Sequence, residues 1–410
     1  MQRVSAAVAV AAALVLLGCS APAPESVAGG GGGAPSGGAE GGPAGPVRTE
    51  APELRVTEIA GGFTNPWDVG VLPDGRVLVT ERAGRLTLLS SAAPGAVATP
   101  VEADFADLLV QGEGGLMGMV VHPDFAQTRE FTTCQTHLQD GTAGDVRLVT
   151  WRLSEDGSSA QRLIDPLVGG LPVNPSGRHS GCRPTLAEDG TLFVGTGDTA
   201  RGAIPQDLTS LGGKTLHVDL ATGGPVQGNP FADAADPAQR LVYTYGHRNV
   251  QGVAVQPGTG EVYTAEHGPS TDDEVNLLRP GGNYGWDPSQ GGTVGGYDES
   301  VPMTDLERFP DAVPAAWSSG NPVEAISGAA FLDGPQWGEL SGTLVVGALR
   351  GEKLLFMRPG PDGAITEVSV PEQLDGTYGR LRAVRLAPDG ALLVSTSNNG
   401  DDLILRIEPV

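Results

Sequence analysis

Six times along the chain, a run of alternating apolar and polar residues is interrupted by a glycine or Asp-Gly turn and then resumes. The first is WDVGVLPDGRVLVTERAGRLTLL, Trp67–Leu89; the second holds MGMVVHPDF, EFTTCQTH and VRLVTWRL within Met117–Leu153. The others lie in Arg183–Leu220, Gln251–Leu278, Ala325–Arg358 and Leu381–Ile407. Period-two alternation marks strands, and Asp-Gly or Gly at the break is hairpin chemistry. Each unit reads strand, tight turn, strand, short loop, strand. Between units, no stretch of a dozen residues carries a convincing amphipathic helical period. Units of roughly sixty residues that cannot bury both faces alone must stack on their neighbours. The pattern therefore predicts an all-β fold, a six-bladed β-propeller over residues 53–410, with two packed β-domains as the fallback arrangement.

The first 52 residues break this pattern. MQRVSAAVAVAAALVLLGCS has a basic start at Arg3, an apolar run over Ala6–Leu17 and small residues ending in Cys19. That is the layout of an export signal, too short to span a bilayer comfortably. Its end, Leu16-Leu17-Gly18-Cys19, resembles the lipobox of bacterial lipoproteins. Residues 1–19 then form a signal peptide with Cys19 lipidated, and ordinary cleavage near Ala21 to Ala23 is the alternative. Residues 20–52, rich in Gly, Pro and Ala, cannot bury enough surface to offset their ordering entropy and read as a flexible tether. The expected location is outside the cytoplasm, at the extracellular face of the cell membrane or in the periplasm, with membrane contact through the lipid only.

Charge narrows the partners. The formal net charge is −24, and only two of the 25 basic residues are lysines, Lys214 and Lys353. Such acidity argues against nucleic acid or an anionic surface as a partner. With Cys19 assigned to the signal, Cys134 and Cys182 remain as an even pair in an oxidising compartment, which predicts a disulfide; two buried free thiols are the other option.

Chemistry concentrates in the loops, where a propeller brings distant residues together. GRHSGCRP, Gly177–Pro184, holds His179, a candidate general base whose ordinary titration lies near neutrality. YGHRNVQGVAV, Tyr245–Val255, sets Arg248 beside Asn249, a planar donor fork next to a group that both donates and accepts. A structural His, a turn Asn and a surface ion pair are the bland readings of these two loops. EHGPSTDDEVNLLRPGGNYGW, Glu266–Trp286, places Asp272, Asp273 and Glu274 near Gly268 and Pro269, oxygen donors of the kind calcium takes, although the spacing is not that of an EF-hand. His267 is a poor calcium ligand and reads as orienting its neighbours. Arg380 and Arg382, at i and i+2, share one side of an extended segment, which calls for an anion or for local acids between them.

The ordered set GEGGLMGMVVHPDF, RHSGCRP…GTGD, YGHRNVQG, EHGPSTDDEVNLLRPGGNYGW, ALRG and GRLRAVRLAPDG resembles the soluble pyrroloquinoline-quinone (PQQ) dependent aldose sugar dehydrogenases of the glucose/sorbosone dehydrogenase family, from about Pro66 to Ile407. The resemblance implies a six-bladed propeller with PQQ over the channel mouth. It implies oxidation of an aldose at C1 to the lactone, with electrons passed to an external acceptor. Under it, His179 is the base and Arg248 stabilises charge at the quinone carbonyls. Asn249, Glu113, Arg350, Arg380 and Arg382 are then cofactor-binding. Gly268 and Pro269 give carbonyls to the Ca2+ that binds PQQ, and Asp273, Glu274 and the Tyr284 carbonyl hold a second, structural Ca2+. Three positions depart from the pattern. Glu113 stands where glucose-oxidising members have Gln, Arg350 replaces a Lys, and Cys182 replaces a Gly, so a Cys134–Cys182 bridge fixes the His loop. Two other functions compete. A binding module that kept calcium and lost PQQ would have lost the His or the arginines, and none is lost; a calcium-dependent lactonase has no use for paired arginines. Substrate choice is expected to lie in residues 293–313 and 314–324, which carry no readable motif.

Overall fold

In the computed structural model, which describes residues 47–48, 53–289 and 296–410, the alternating runs pair into six antiparallel sheets. Their innermost strands are Pro66–Val71, Leu116–Val121, Arg183–Leu186, Val250–Val255, Ile326–Phe331 and Leu381–Leu386. Numbered in that order as blades 1 to 6, they neighbour one another in a closed ring. The fold is a six-bladed β-propeller. Residues 1–19, with Cys19, and the tether other than Val47–Arg48 lie outside the described residues; those two residues pair in parallel with the outer strand of blade 5.

Every blade has four strands from the main body rather than the three visible as repeats. Blade 1 shows why. Its strands Val77–Glu81 and Arg85–Leu89 are largely buried, whereas its outer strand Ala98–Val101 buries only Val101. An outer strand with both faces mostly wet has no alternation to read. The outer strand of blade 6 comes from the start of the body. Leu54–Phe63 pairs antiparallel with Asp402–Pro409, matching Leu54 to Pro409 and Val56 to Ile407, and so closes the ring with main-chain hydrogen bonds.

The core lies between blades. Leu78, Leu86, Met119, Phe131 and Trp151 pack blade 1 on blade 2, and Val345, Phe356, Leu392 and Leu405 pack blade 5 on blade 6. Along the axis the channel is plugged by charge. The buried carboxylate of Asp68 accepts from Arg385 at 2.9 and 2.6 Å and lies 2.7 Å from Arg183, whose guanidinium stacks 4.0 Å from the Trp67 ring centre. This plug forms a floor beneath one channel mouth.

Candidate active site

Segments that lead into the inner strands of blades 2, 3, 4 and 6 meet at that mouth. Glycine permits the closest approach. A Cβ on Gly177, at φ +73°, would lie 1.6 Å from the Gln111 carbonyl oxygen, so only glycine lets the blade 2 and blade 3 segments touch. Glu113 N–H then donates to the Gly177 carbonyl at 3.1 Å. His179 itself sits in the left-handed region at φ 51°, at a cost of roughly 1–2 kcal/mol that the surrounding contacts must offset.

Those contacts make a dyad. His179 Nδ1 lies 2.7 Å from Asp198 Oδ1, and both residues are buried. Asp198 Oδ1 also accepts from Ala200 N–H at 2.8 Å, and its Oδ2 accepts from Trp286 Nε1–H at 2.8 Å and Tyr297 O–H at 2.7 Å. Burial opposes ionisation of Asp198, but the His179 ring beside it and these donors hold its carboxyl below the ordinary value. An anionic Asp198 takes the proton on Nδ1, which leaves Nε2 as the basic nitrogen.

A second network ties the dyad to the cationic groups. Glu113 Oε1 accepts from His179 N–H at 3.3 Å, and its Oε2 accepts from Asn249 Nδ2–H at 2.9 Å and Gln251 Nε2–H at 3.1 Å. Burial works against this carboxylate, and the His179 ring, Asn249 and His267 outweigh it, so its pKa is lowered. Gln251 Oε1 accepts from Arg382 Nη1–H at 3.2 Å, and Asn249 Oδ1 accepts from Gly181 N–H at 3.2 Å. Arg380 and Arg382 do share a side: Arg380 Nε–H donates to the Ser397 carbonyl at 3.2 Å and Arg382 Nε–H meets Ser397 Oγ at 3.5 Å. Burial, and then Arg183, pull the Arg382 guanidinium down to about 9. A buried cation in that state favours an anion beside it.

Arg248 is buried on the other side of the dyad. Its Nη1–H donates to the His267 carbonyl at 2.7 Å, Nη2–H donates to Glu299, and its buried Nε has no partner among the described residues. His267 thus orients Arg248 through its backbone, and its ring is drawn down to about 4 by burial and then by Arg248.

The acidic loop lies beside Arg248. Asp273 accepts from Gly268 N–H at 2.8 Å and Ile326 N–H at 3.3 Å, which fixes the Gly268–Pro269 turn. Glu274 is buried next to Glu266, and burial followed by that like charge pushes it up to about 8. Asn276 Nδ2 spans the two at 3.4 Å from each, while its buried Oδ1 has no partner among the described residues. The Tyr284 ring stacks on His247 at 4.6 Å. Among the described residues, no three His, Cys, Asp or Glu side chains are arranged to hold a metal ion. Arg350 is exposed and, among the described residues, has no side-chain hydrogen bond or ion pair to this cluster.

Cys134 and Cys182 form a disulfide, with a Cα–Cα distance of 6.1 Å, joining a blade 2 strand to the His179 loop. Asp198, Gln251, Glu266, Trp286, Tyr297 and Glu299 are the site residues that the motifs did not single out. Asp198, Gln251, Glu266 and Trp286 lie inside or at the ends of stretches already read, whereas Tyr297 and Glu299 come from the motif-free connection after them.

The ring is shared with known proteins. The family model described as Glucose / Sorbosone dehydrogenase matches residues 63–406. The chain belongs to that family. The aldose sugar dehydrogenase YliI of Escherichia coli is 28% identical over 359 residues, 87% of this chain and 93% of YliI. A putative oxidoreductase (glucose dehydrogenase) from Thermus thermophilus superposes with a TM-score of 0.71 at 35% identity, covering 87% of this chain and all of the other (100%). The PQQ-bound aldose sugar dehydrogenase of Streptomyces coelicolor superposes with a TM-score of 0.69 at 29% identity, covering 87% and 99%. For this member of the glucose/sorbosone dehydrogenase family, the unpartnered Arg248 Nε and the buried Arg382 fit a planar anionic quinone. The Glu266–Glu274 pair and the free Asn276 oxygen fit a hard cation.

Proposed function

We infer that this protein is a PQQ- and calcium-dependent dehydrogenase that oxidises an aldose at C1 to the lactone and passes the electrons to an external acceptor. The observation that carries the reading is the buried His179–Asp198 dyad, joined through Glu113, Asn249 and Gln251 to Arg382 and flanked by Arg248. Asn249, Arg248, Arg380 and Arg382 would hold PQQ, with Glu113 orienting the two amides and Arg350 reaching from the rim. The carbonyls of Gly268 and Pro269 would hold the calcium on the cofactor. Asp273, Glu274 and the Tyr284 carbonyl would serve a structural calcium. When bound, PQQ supplies a two-electron acceptor, and calcium supplies the Lewis acid that polarises it.

The chain's own residues supply the proton chemistry. His179 Nε2 accepts the anomeric hydroxyl proton as hydride leaves C1, so the C1–O single bond becomes the lactone carbonyl. Asp198 holds the ring in the required tautomer and stabilises the imidazolium that forms. Arg248 adds a fixed positive charge beside the reacting atoms. Export as a lipoprotein anchored at Cys19 belongs to the same reading and rests on the layout of residues 1–19.

The test uses the protein purified free of cofactor and then supplied with PQQ and Ca2+, with dye reduction followed over a panel of aldoses. Sugar-dependent reduction that requires both additions and is lost in His179→Ala is expected. PQQ failing to bind by absorbance or thermal shift, with calcium still stabilising the fold, would overturn the reading in favour of a binding module.

A further inference from the structure

The motif-free connection after Trp286 contributes two side chains, at i and i+2: Tyr297, which touches the dyad, and Glu299, which pairs with the arginines beside it. Tyr297 is 8% exposed and packs with Trp286 and Met303. Its hydroxyl donates to Asp198 Oδ2 at 2.7 Å and lies 3.2 Å from His179 Nδ1. Burial, and then the Asp198 charge, raise the phenol well above its ordinary value, so it remains a donor across the working range. Glu299 bridges two arginines. One carboxylate oxygen takes Arg178, the residue before the base, at 2.7 Å, and the other takes Arg248. Arg178 in turn lies over the Tyr297 ring, 5.5 Å from its centre.

Asp198 already receives Ala200, Trp286 and His179, and Tyr297 takes the last of about four acceptor positions on the carboxylate. The fourth donor also has an electrostatic consequence. A hydrogen bond given to Oδ2 takes up part of the negative charge that would otherwise stabilise a protonated His179. We propose that Tyr297 is a positioning residue that weakens the His179–Asp198 base and keeps it unprotonated at lower pH, and that Glu299 pins it there through Arg178 and Arg248. The proposal rests on His179 being the base. The other charged or titratable groups facing the pair are Glu113, Arg248, His267 and Lys214, and Tyr297→Phe leaves all of them in place.

Tyr297→Phe keeps the ring and its packing and removes one oxygen. With the cofactor-loaded enzyme, the acidic limb of the kcat/KM profile is expected to move up by about half a pH unit, with KM at the plateau within about twofold. In the cofactor-free protein, the ring-proton signal of His179, identified by its loss in His179→Gln, is expected to change over at correspondingly higher pH. Tyr297→Met, which also lacks the donor, should move both readouts the same way. An unmoved limb together with an unmoved ring signal would overturn the proposal and leave Tyr297 a packing residue. If His179→Gln keeps full activity, the base assignment fails instead, and the ring signal still decides whether Tyr297 acts on the pair.

Discussion

At the scale of single residues, the site is a set of hydrogen-bond directions imposed by one carboxylate. Both Glu113 oxygens accept, so Asn249 and Gln251 must each turn an NH2 toward it. Their oxygens then face Gly181 N–H and Arg382, which orients the base loop and the cationic side together. A Gln at position 113 would offer a donor to at least one of these donors. Glu113→Gln is therefore expected to raise KM and slow PQQ loading severalfold, read by titrating activity against cofactor. For His179→Ala, loss of the proposed base should lower kcat by about 10²–10⁴-fold while PQQ binding by absorbance persists. Arg382→Ala should weaken PQQ binding by about 10- to 100-fold, the scale of one charged hydrogen bond, measured by equilibrium titration. His179 was legible because histidine is rare here, with six in the chain, and the arginines because they stand beside Asn or at i and i+2 in glycine-containing loops. Asp198 and Gln251 were not, because one Asp or one Gln after or within a strand looks like any other.

At the scale of elements, inner strands could be read and outer strands could not. Leu344–Ala348 is buried throughout, while Ile365–Ser369 in the same blade buries only its first residue. The decisive element is the segment carrying His179, which hydrogen bonds alone do not hold. Its Cys182 is tied to Cys134 across 48 residues of sequence. Chain entropy assigns a loop of that length about 4 kcal/mol of stabilisation. The double variant Cys134→Ser/Cys182→Ser is expected to melt several degrees lower, and to lose activity before it loses secondary structure, as checked by near- and far-UV circular dichroism.

At the scale of the whole molecule, closure and the axial plug decide stability. Leu54–Phe63 supplies the last strand of blade 6, so removing residues 53–63 should abolish cooperative unfolding rather than lower its midpoint. Asp68 links blade 1 to Arg183 of blade 3 and Arg385 of blade 6. Burial works against its charge, but the two arginines win and hold its pKa below the ordinary 3.8. A depressed carboxylate contributes stability that is present above 3.8 and is lost as pH falls through its folded value. Asp68→Asn leaves two buried guanidinium groups short of an anion. It is expected to cost about 3–5 kcal/mol by denaturant melts at neutral pH, with a smaller difference from the parent in acid.

The sequence by itself determined the six-fold repeat of strands, because period-two burial is written directly into residue order. It also determined the cysteine pair and the loops that carry His179, Arg248, Asn249, Arg380 and Arg382. Only the tertiary structure decided which acid serves His179, which amides serve Glu113, and that Tyr297 reaches the dyad while Glu299 ties the arginines beside it. The physical reason is distance along the chain. Hydrogen bonds such as Glu113 to Gln251, or Asp198 to Tyr297, join residues that neither share a strand nor follow a period. They come together only when six blades close into a ring.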